Sequence, residues 1–143
     1  MHAADDEGSV LPLAIVFMML ALGLVLVVTG ATSLYLERQR LFTVAGGAAL
    51  AGAEAFDLDS ATVESGRVRF DLQDADVAAA VDAYLDEVEL SGLEQVQVVR
   101  AVTPDGRSAE VQLAARWRPP VVGFAMPNGL TLDVTATARS VVG

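Results

Sequence analysis

The sequence predicts an α+β fold in which a long N-terminal helix leads into a small antiparallel sheet domain with one further helix. Three observations support this prediction. No charged side chain occurs between Gly8 and Leu36, and no proline occurs between Pro12 and Pro104. The C-terminal half alternates apolar and polar residues with the period of a half-buried strand. The predicted order after the long helix is β-α-β-β-β.

The first element is a membrane helix at residues 10–34, after a short tail at 1–9. About 20 apolar residues cross a bilayer as a helix, and this run is longer. Ser9 is the expected N-cap, and Pro12 suits a first helical turn. A cleaved secretory signal needs a basic start and a core of about 7–15 apolar residues. The acidic start and the long run argue against such a signal.

The helix is expected to continue past the membrane, over residues 35–56, with the sequence YLERQRLFTVAGGAALAGAEAF. Small residues at helical spacing let helix backbones approach closely. They predict a helix-packing surface, facing either its own domain or other subunits, that consists of Ala45, Ala49, Ala53, Gly46 and Gly52. Two alternatives stay open: a linker helix whose small residues reflect composition alone, or a kink or local melt at Gly46 and Gly47.

The remainder, residues 57–143, is expected to form the small α+β domain. Asp74 is the expected N-cap of its helix, and TPDGR at 103–107 is the expected hairpin turn. At the other end of the strand that follows this turn, Arg116, Trp117 and Arg118 are assigned to an edge strand rather than to a contact patch. The strands are expected at about 67–72, 93–102, 108–117 and 130–139, with the helix at about 75–90.

A proline-bounded loop with the sequence VVGFAMPNG precedes the last predicted strand. Its apolar side chains could contact a partner or fold back over a thin core, and the sequence leaves both open. The candidate partner-contact residues are Val122, Phe124 and Met126.

The sequence lacks the residues that common catalytic and metal sites require. It contains no Cys, and its single His is His2. The aspartate groups at 57–59 and 71–76 do not have the spacing of an EF-hand loop. We therefore expect no enzyme, no metal, no cofactor and no small-molecule substrate. The net charge of −10, with no Lys, argues against nucleic acid as a partner.

The order of acidic-Gly-Ser, apolar span, YLERQRL and AGGAALAGA resembles the TadE/TadG-like proteins of tight-adherence (Flp) pilus systems, closest to the TadG-related branch. The resemblance covers about residues 5–56, with a weaker echo at residues 136–142. Gly46 or Gly47 stands where the family often has Asp. The resemblance implies a pilin-like or minor-pilin subunit in the bacterial cytoplasmic membrane, which helps to assemble a pilus for cell adhesion. Its partners would be membrane lipid and other pilin-like or pilus-assembly subunits.

Orientation and processing are two points on which the residues and the resemblance differ. The positive-inside rule, applied to Arg38 and Arg40, favours a cytoplasmic C-terminal side. The resemblance implies an extracytoplasmic domain, and we adopt that orientation. Pilin-like relatives are cut after a Gly with a Glu five residues on, which makes Gly8 and Ser9 the candidate cleavage site. Here the fifth residue is Leu13. The alternative function is an anchored extracytoplasmic module that binds a cell-surface or envelope ligand.

Overall fold

The computed structural model describes residues 7–55, 62–64, 67–69, 71–90, 92–119, 123 and 126–140. The predicted α+β class is confirmed, with one long apolar helix ahead of a three-stranded antiparallel sheet and a second helix. The elements are α1 (Glu7–Ala53), β1 (Thr62–Glu64), β2 (Arg67–Arg69), α2 (Asp74–Glu87), β3 (Glu94–Val102), β4 (Ser108–Trp117) and β5 (Leu130–Arg139).

Helix α1 is continuous over 47 residues, which corresponds to about 70 Å. It remains α-helical through Gly46 and Gly47 without a break, so the expected alternative of a local melt there is wrong. The helix begins at Glu7, so Ser9 lies inside it rather than at its N-cap, and it ends at Ala53. Within the described residues, α1 is the one helix long and apolar enough to cross a bilayer. The chain buries none of the apolar stretch that meets this test.

The main sheet has the order β3–β4–β5, and two predictions about it are wrong. The segment at 67–72 was expected to join this sheet, but among the residues that the structure describes β2 pairs with β1 alone, in a separate hairpin. Leu72 instead donates its N–H to the carbonyl of Gly106 at 3.0 Å, which draws the chain toward the β3–β4 turn. Strand β4 was expected at an edge, but it pairs with both neighbours and is central.

Helix α2 is shorter than predicted and has a different cap. Its N-cap is Gln73, which makes no side-chain capping bond, and its last residue is Glu87. The Asp74 carboxylate accepts a hydrogen bond of 2.7 Å from the N–H of Thr103 instead. Asp74 therefore ties the start of α2 to the end of β3, a contact that a local capping argument does not consider.

The core lies between the sheet on one side and α1 and α2 on the other. The C-terminal part of α1 contacts β4, β5 and α2, so it belongs to the core of the domain that follows it. The predicted alternation of β4 is confirmed, because Val111, Leu113 and Trp117 are buried while Arg116 is exposed. The fully buried side chains of greatest volume are Leu41, Leu113, Val77, Val81 and Val111.

The turn between β3 and β4 is held by the Asp105 carboxylate, and the predicted turn is present. Asp105 Oδ1 accepts hydrogen bonds from Ser108 Oγ at 2.6 Å, Ser108 N at 2.7 Å and Arg107 N at 3.0 Å. Arg139 Nη2 lies 3.3 Å from Oδ2, which links the turn to the end of β5. Gly106 has φ of +68°, a left-handed conformation that favours glycine.

Asp105 should give the domain an acid-dependent stability. The Ser108 side-chain and backbone bonds, followed by the Arg107 bond, lower the pKa of Asp105 from 3.8 to about 2. Because the folded carboxyl has the lower pKa, its contribution is complete above about pH 4 and is lost as the pH falls to about 2. We expect Asp105→Asn to flatten the rise of unfolding free energy with pH in that window. Urea unfolding at a series of pH values measures this slope, and a variant with the wild-type slope would contradict the assignment.

Candidate helix-packing site

The inner face of α1 consists of small side chains that are almost completely buried. Ala45, Ala48 and Ala49 have no exposed surface, and Ala53 is 1% exposed. They belong to one apolar cluster with residues of α2, β4 and β5. Methyl side chains let the axis of α1 lie close to these elements. Three of the predicted helix-packing residues, Ala45, Ala49 and Ala53, thus lie at a contact within the chain itself.

Two glycines bring α1 into closest contact with the rest of the domain. The ring and hydroxyl of Tyr84 occupy the space that a Cβ at Gly47 would need. A Cβ at Gly52 would lie 3.0 Å from Val77 Cγ1 and 3.2 Å from Ala109 Cβ. Gly47 was not among the predicted packing residues. The signal that could have found it is Tyr84, which follows Val77 and Val81 at helical spacing and so lies on the same apolar face of α2.

Gly46 has the opposite environment from Gly47. A Cβ at Gly46 would have no atom within 4 Å apart from the helix backbone and its chain neighbours. Large apolar side chains flank it one turn away on each side: Phe42 is 49% exposed and Leu50 is 50% exposed. Tyr35, two turns before Phe42, is 67% exposed. The exposed surface of α1 therefore includes one largely apolar strip, beside the exposed Arg38, Arg40 and Thr43.

We call this strip the outer stripe. Its members follow one another at steps of three and four residues, which places them on one side of a helix. None of them is charged, and one is polar. They are Tyr35, Gln39, Phe42, Gly46 and Leu50.

The junction between the apolar run and the domain contains the first charges of α1. Arg40 Nη1 donates to Glu37 Oε1 at 3.2 Å, and Glu37 is only 16% exposed. Glu37 Oε2 is buried and has no hydrogen-bond partner in the structure. A Cβ at Gly92 would lie 2.8 Å from Arg40 Nη1. The ion pair therefore packs against the Gly92 backbone, where φ of +88° favours glycine.

The structure describes the other predicted site residues only in part. Met126 is 47% exposed, and Val122 and Phe124 lie outside the described residues. Gly8 is an exposed residue of α1, and nothing is described of the Ser9 side chain. Over the described ranges, no three His, Asp or Glu side chains lie together as metal ligands would.

Comparison with known proteins gives a family match whose bounds nearly coincide with those of α1. Residues 8–55 match a family model described as "Putative Flp pilus-assembly TadE/G-like". Over this segment the chain is similar to the TadE/G-like proteins of Flp pilus assembly. The match ends two residues after α1, so it covers the membrane-length span, the outer stripe and the buried alanines together. No curated protein and no solved structure gave a significant match to the chain.

The adjacent glycines of this TadE/TadG-like helix should respond in opposite ways to alanine. Gly46→Ala should stabilise the fold by about 0.5–1 kcal/mol. Alanine loses less backbone entropy than glycine when the helix forms, and its methyl group would contact no neighbour here. Gly47→Ala should destabilise it by about 1–3 kcal/mol, because Tyr84 must move. Urea unfolding of both variants in detergent measures the difference. Equal effects of the two substitutions would show that the inner and outer faces are wrongly assigned.

Proposed function

We propose that this protein is a pilin-like minor subunit of Flp pilus assembly, anchored by α1 and carrying its sheet domain outside the cytoplasm. The match of residues 8–55 to a TadE/G-like pilus-assembly model supports a role in pilus assembly, and α1 is long and apolar enough to cross a bilayer. The finer role rests on one observation: the outer stripe remains uncharged and largely exposed for about four turns beyond the last residue of the predicted membrane span. A helix that only anchored a soluble domain would need no such face there.

The mechanism of this role is helix packing and not catalysis. In lipid, helices associate through close packing and hydrogen bonds, because lipid tails are as apolar as leucine. The outer stripe offers two aromatic side chains and a glycine at which another helix can approach closely. The sequence has no Cys and one His, His2, so the Cys–His and Ser–His pairs that commonly form activated nucleophiles cannot be built from the described residues. The partners proposed for this face, and for its continuation along residues 10–34, are other pilin-like or pilus-assembly subunits, and membrane lipid surrounds the rest of residues 10–34.

The Ala45, Ala49 and Ala53 positions are poor places to test this role. Leucine there would overpack the core and destabilise the domain, so a loss of pili would report on folding. The outer stripe is better suited to substitution because its side chains have few neighbours within the chain.

The alternative function is an anchored module that binds a cell-surface or envelope ligand. Replacing residues 10–34 with an unrelated membrane helix of equal length distinguishes this alternative from a pilin-like subunit. A pilin-like subunit should lose pilus assembly, because the replaced helix no longer packs with its neighbours. A binding module that uses only its exposed domain should keep its function with any anchor. Electron microscopy of complemented deletion cells measures pili, with immunoblotting of membranes as the control for equal insertion. Normal pili with the foreign anchor would contradict the proposal.

The proposed orientation has a separate test. A phosphatase that is active only outside the cytoplasm, fused after Gly143, should be active in cells. A reporter that is active only in the cytoplasm, fused at the same position, should be inactive. The reverse pattern would mean that Arg38 and Arg40 set the orientation by the positive-inside rule.

A further inference from the structure

We propose that the outer stripe binds a second copy of this chain, giving a parallel dimer of α1 helices that begins in the membrane and continues along the domain. This inference deepens the proposed function, on which it rests, by naming one partner of the anchor helix. It depends on three features of α1: the lack of charge on the stripe, the membrane that both copies share, and the area available for contact.

The outer stripe is complementary to itself. A twofold axis parallel to α1 brings each residue of the stripe near the same residue of the second copy. Uncharged residues can meet themselves without repulsion. Gln39 supplies both a donor and an acceptor, so it can pair with Gln39 of the second copy. Gly46 lets the two backbones approach, with Phe42 and Leu50 packing on either side of the contact.

Because both copies are anchored in the same membrane, a dimer through the outer stripe is favoured over a dimer through the exposed edge of the sheet. Helix α1 lies on one face of the sheet, against β4 and β5. If two copies paired their β5 strands antiparallel, the twofold axis would stand perpendicular to the sheet and would reverse the direction of α1. Two such chains could not insert into one bilayer with the same orientation. A twofold axis along α1 keeps both anchors parallel.

The outer stripe alone is too small for a specific dimer interface, so the interface must extend into the membrane span. From Tyr35 to Leu50 the stripe is about 24 Å long and about 10 Å wide, or roughly 240 Å² per chain. Two such surfaces fall short of the ~1,000 Å² that a specific interface buries. The same helical face continues into the span through Val28, Leu24 and Phe17, which are 56%, 65% and 64% exposed. With that extension the length is about 51 Å and the total approaches ~1,000 Å².

The chain contains no cysteine, so single-cysteine variants of the full-length protein test the dimer directly. In neutral-lipid vesicles under a mild oxidant, Phe42→Cys and Gly46→Cys should form disulfide-linked dimers. Bridging needs Cα atoms within about 7 Å, so we expect yields at least ~10-fold above those of off-stripe positions. Ala83→Cys and Asp86→Cys on α2 are the controls, since both positions are exposed.

A second variant checks that the contact depends on the small size of Gly46. Adding Gly46→Leu to the Phe42→Cys chain should lower its cross-linking at least ~10-fold, while Ala83→Leu in the same chain should leave it unchanged. Circular dichroism confirms that each variant is folded. Equal cross-linking at all four cysteine positions, or none on the stripe in folded protein, would overturn the dimer. Normal pili formed by a chain that does not cross-link would overturn the dimer while leaving the proposed pilus role intact.

Discussion

The structure depends on one constraint: α1 is both the candidate membrane span and a core element of the domain. Its first half needs bulky apolar side chains such as Phe17 and Leu24, which are exposed in the chain and suit a lipid environment. Its second half needs methyl side chains on one face, because the sheet and α2 lie close to it. The change from large to small residues along one uninterrupted helix therefore marks the point at which the neighbour changes from lipid to protein.

Adjacent residues of the second half have opposite roles because consecutive residues of a helix are separated by about 100°. Gly47 lies against Tyr84, whereas Gly46 has open space, although the sequence presents them as one GG pair. Composition alone cannot separate a glycine that removes a clash within the chain from one that leaves room for a partner. The separation needs the position of α2, which supplies Tyr84.

Much of the fold could be predicted from periodicity, and the errors share one physical cause. The long helix, the alternation of β4 and β5 and the Asp105 turn all follow from local pattern. The place of β2 in a separate hairpin, the central position of β4 and the bond from Thr103 to Asp74 are long-range arrangements. Local sequence contains no direct information about which strand lies beside which, or which carboxylate meets a distant N–H. The sequence predicted the small residues on one face of α1. It could not show whether that face packs against its own domain or against another subunit, because this also depends on long-range packing.

The rigid connection between span and domain has a mechanical consequence. Between Glu37 and Ala53 the helix is fixed to the domain by buried alanines, by the Tyr84 contact and by the Glu37–Arg40 pair over Gly92. No flexible linker separates the end of the apolar run from this packing, because α1 is helical throughout. A partner that packs against the span therefore also fixes the rotation of the sheet domain about the helix axis. An anchor joined by a flexible loop could bring subunits together, but it could not set the faces that their domains present to one another.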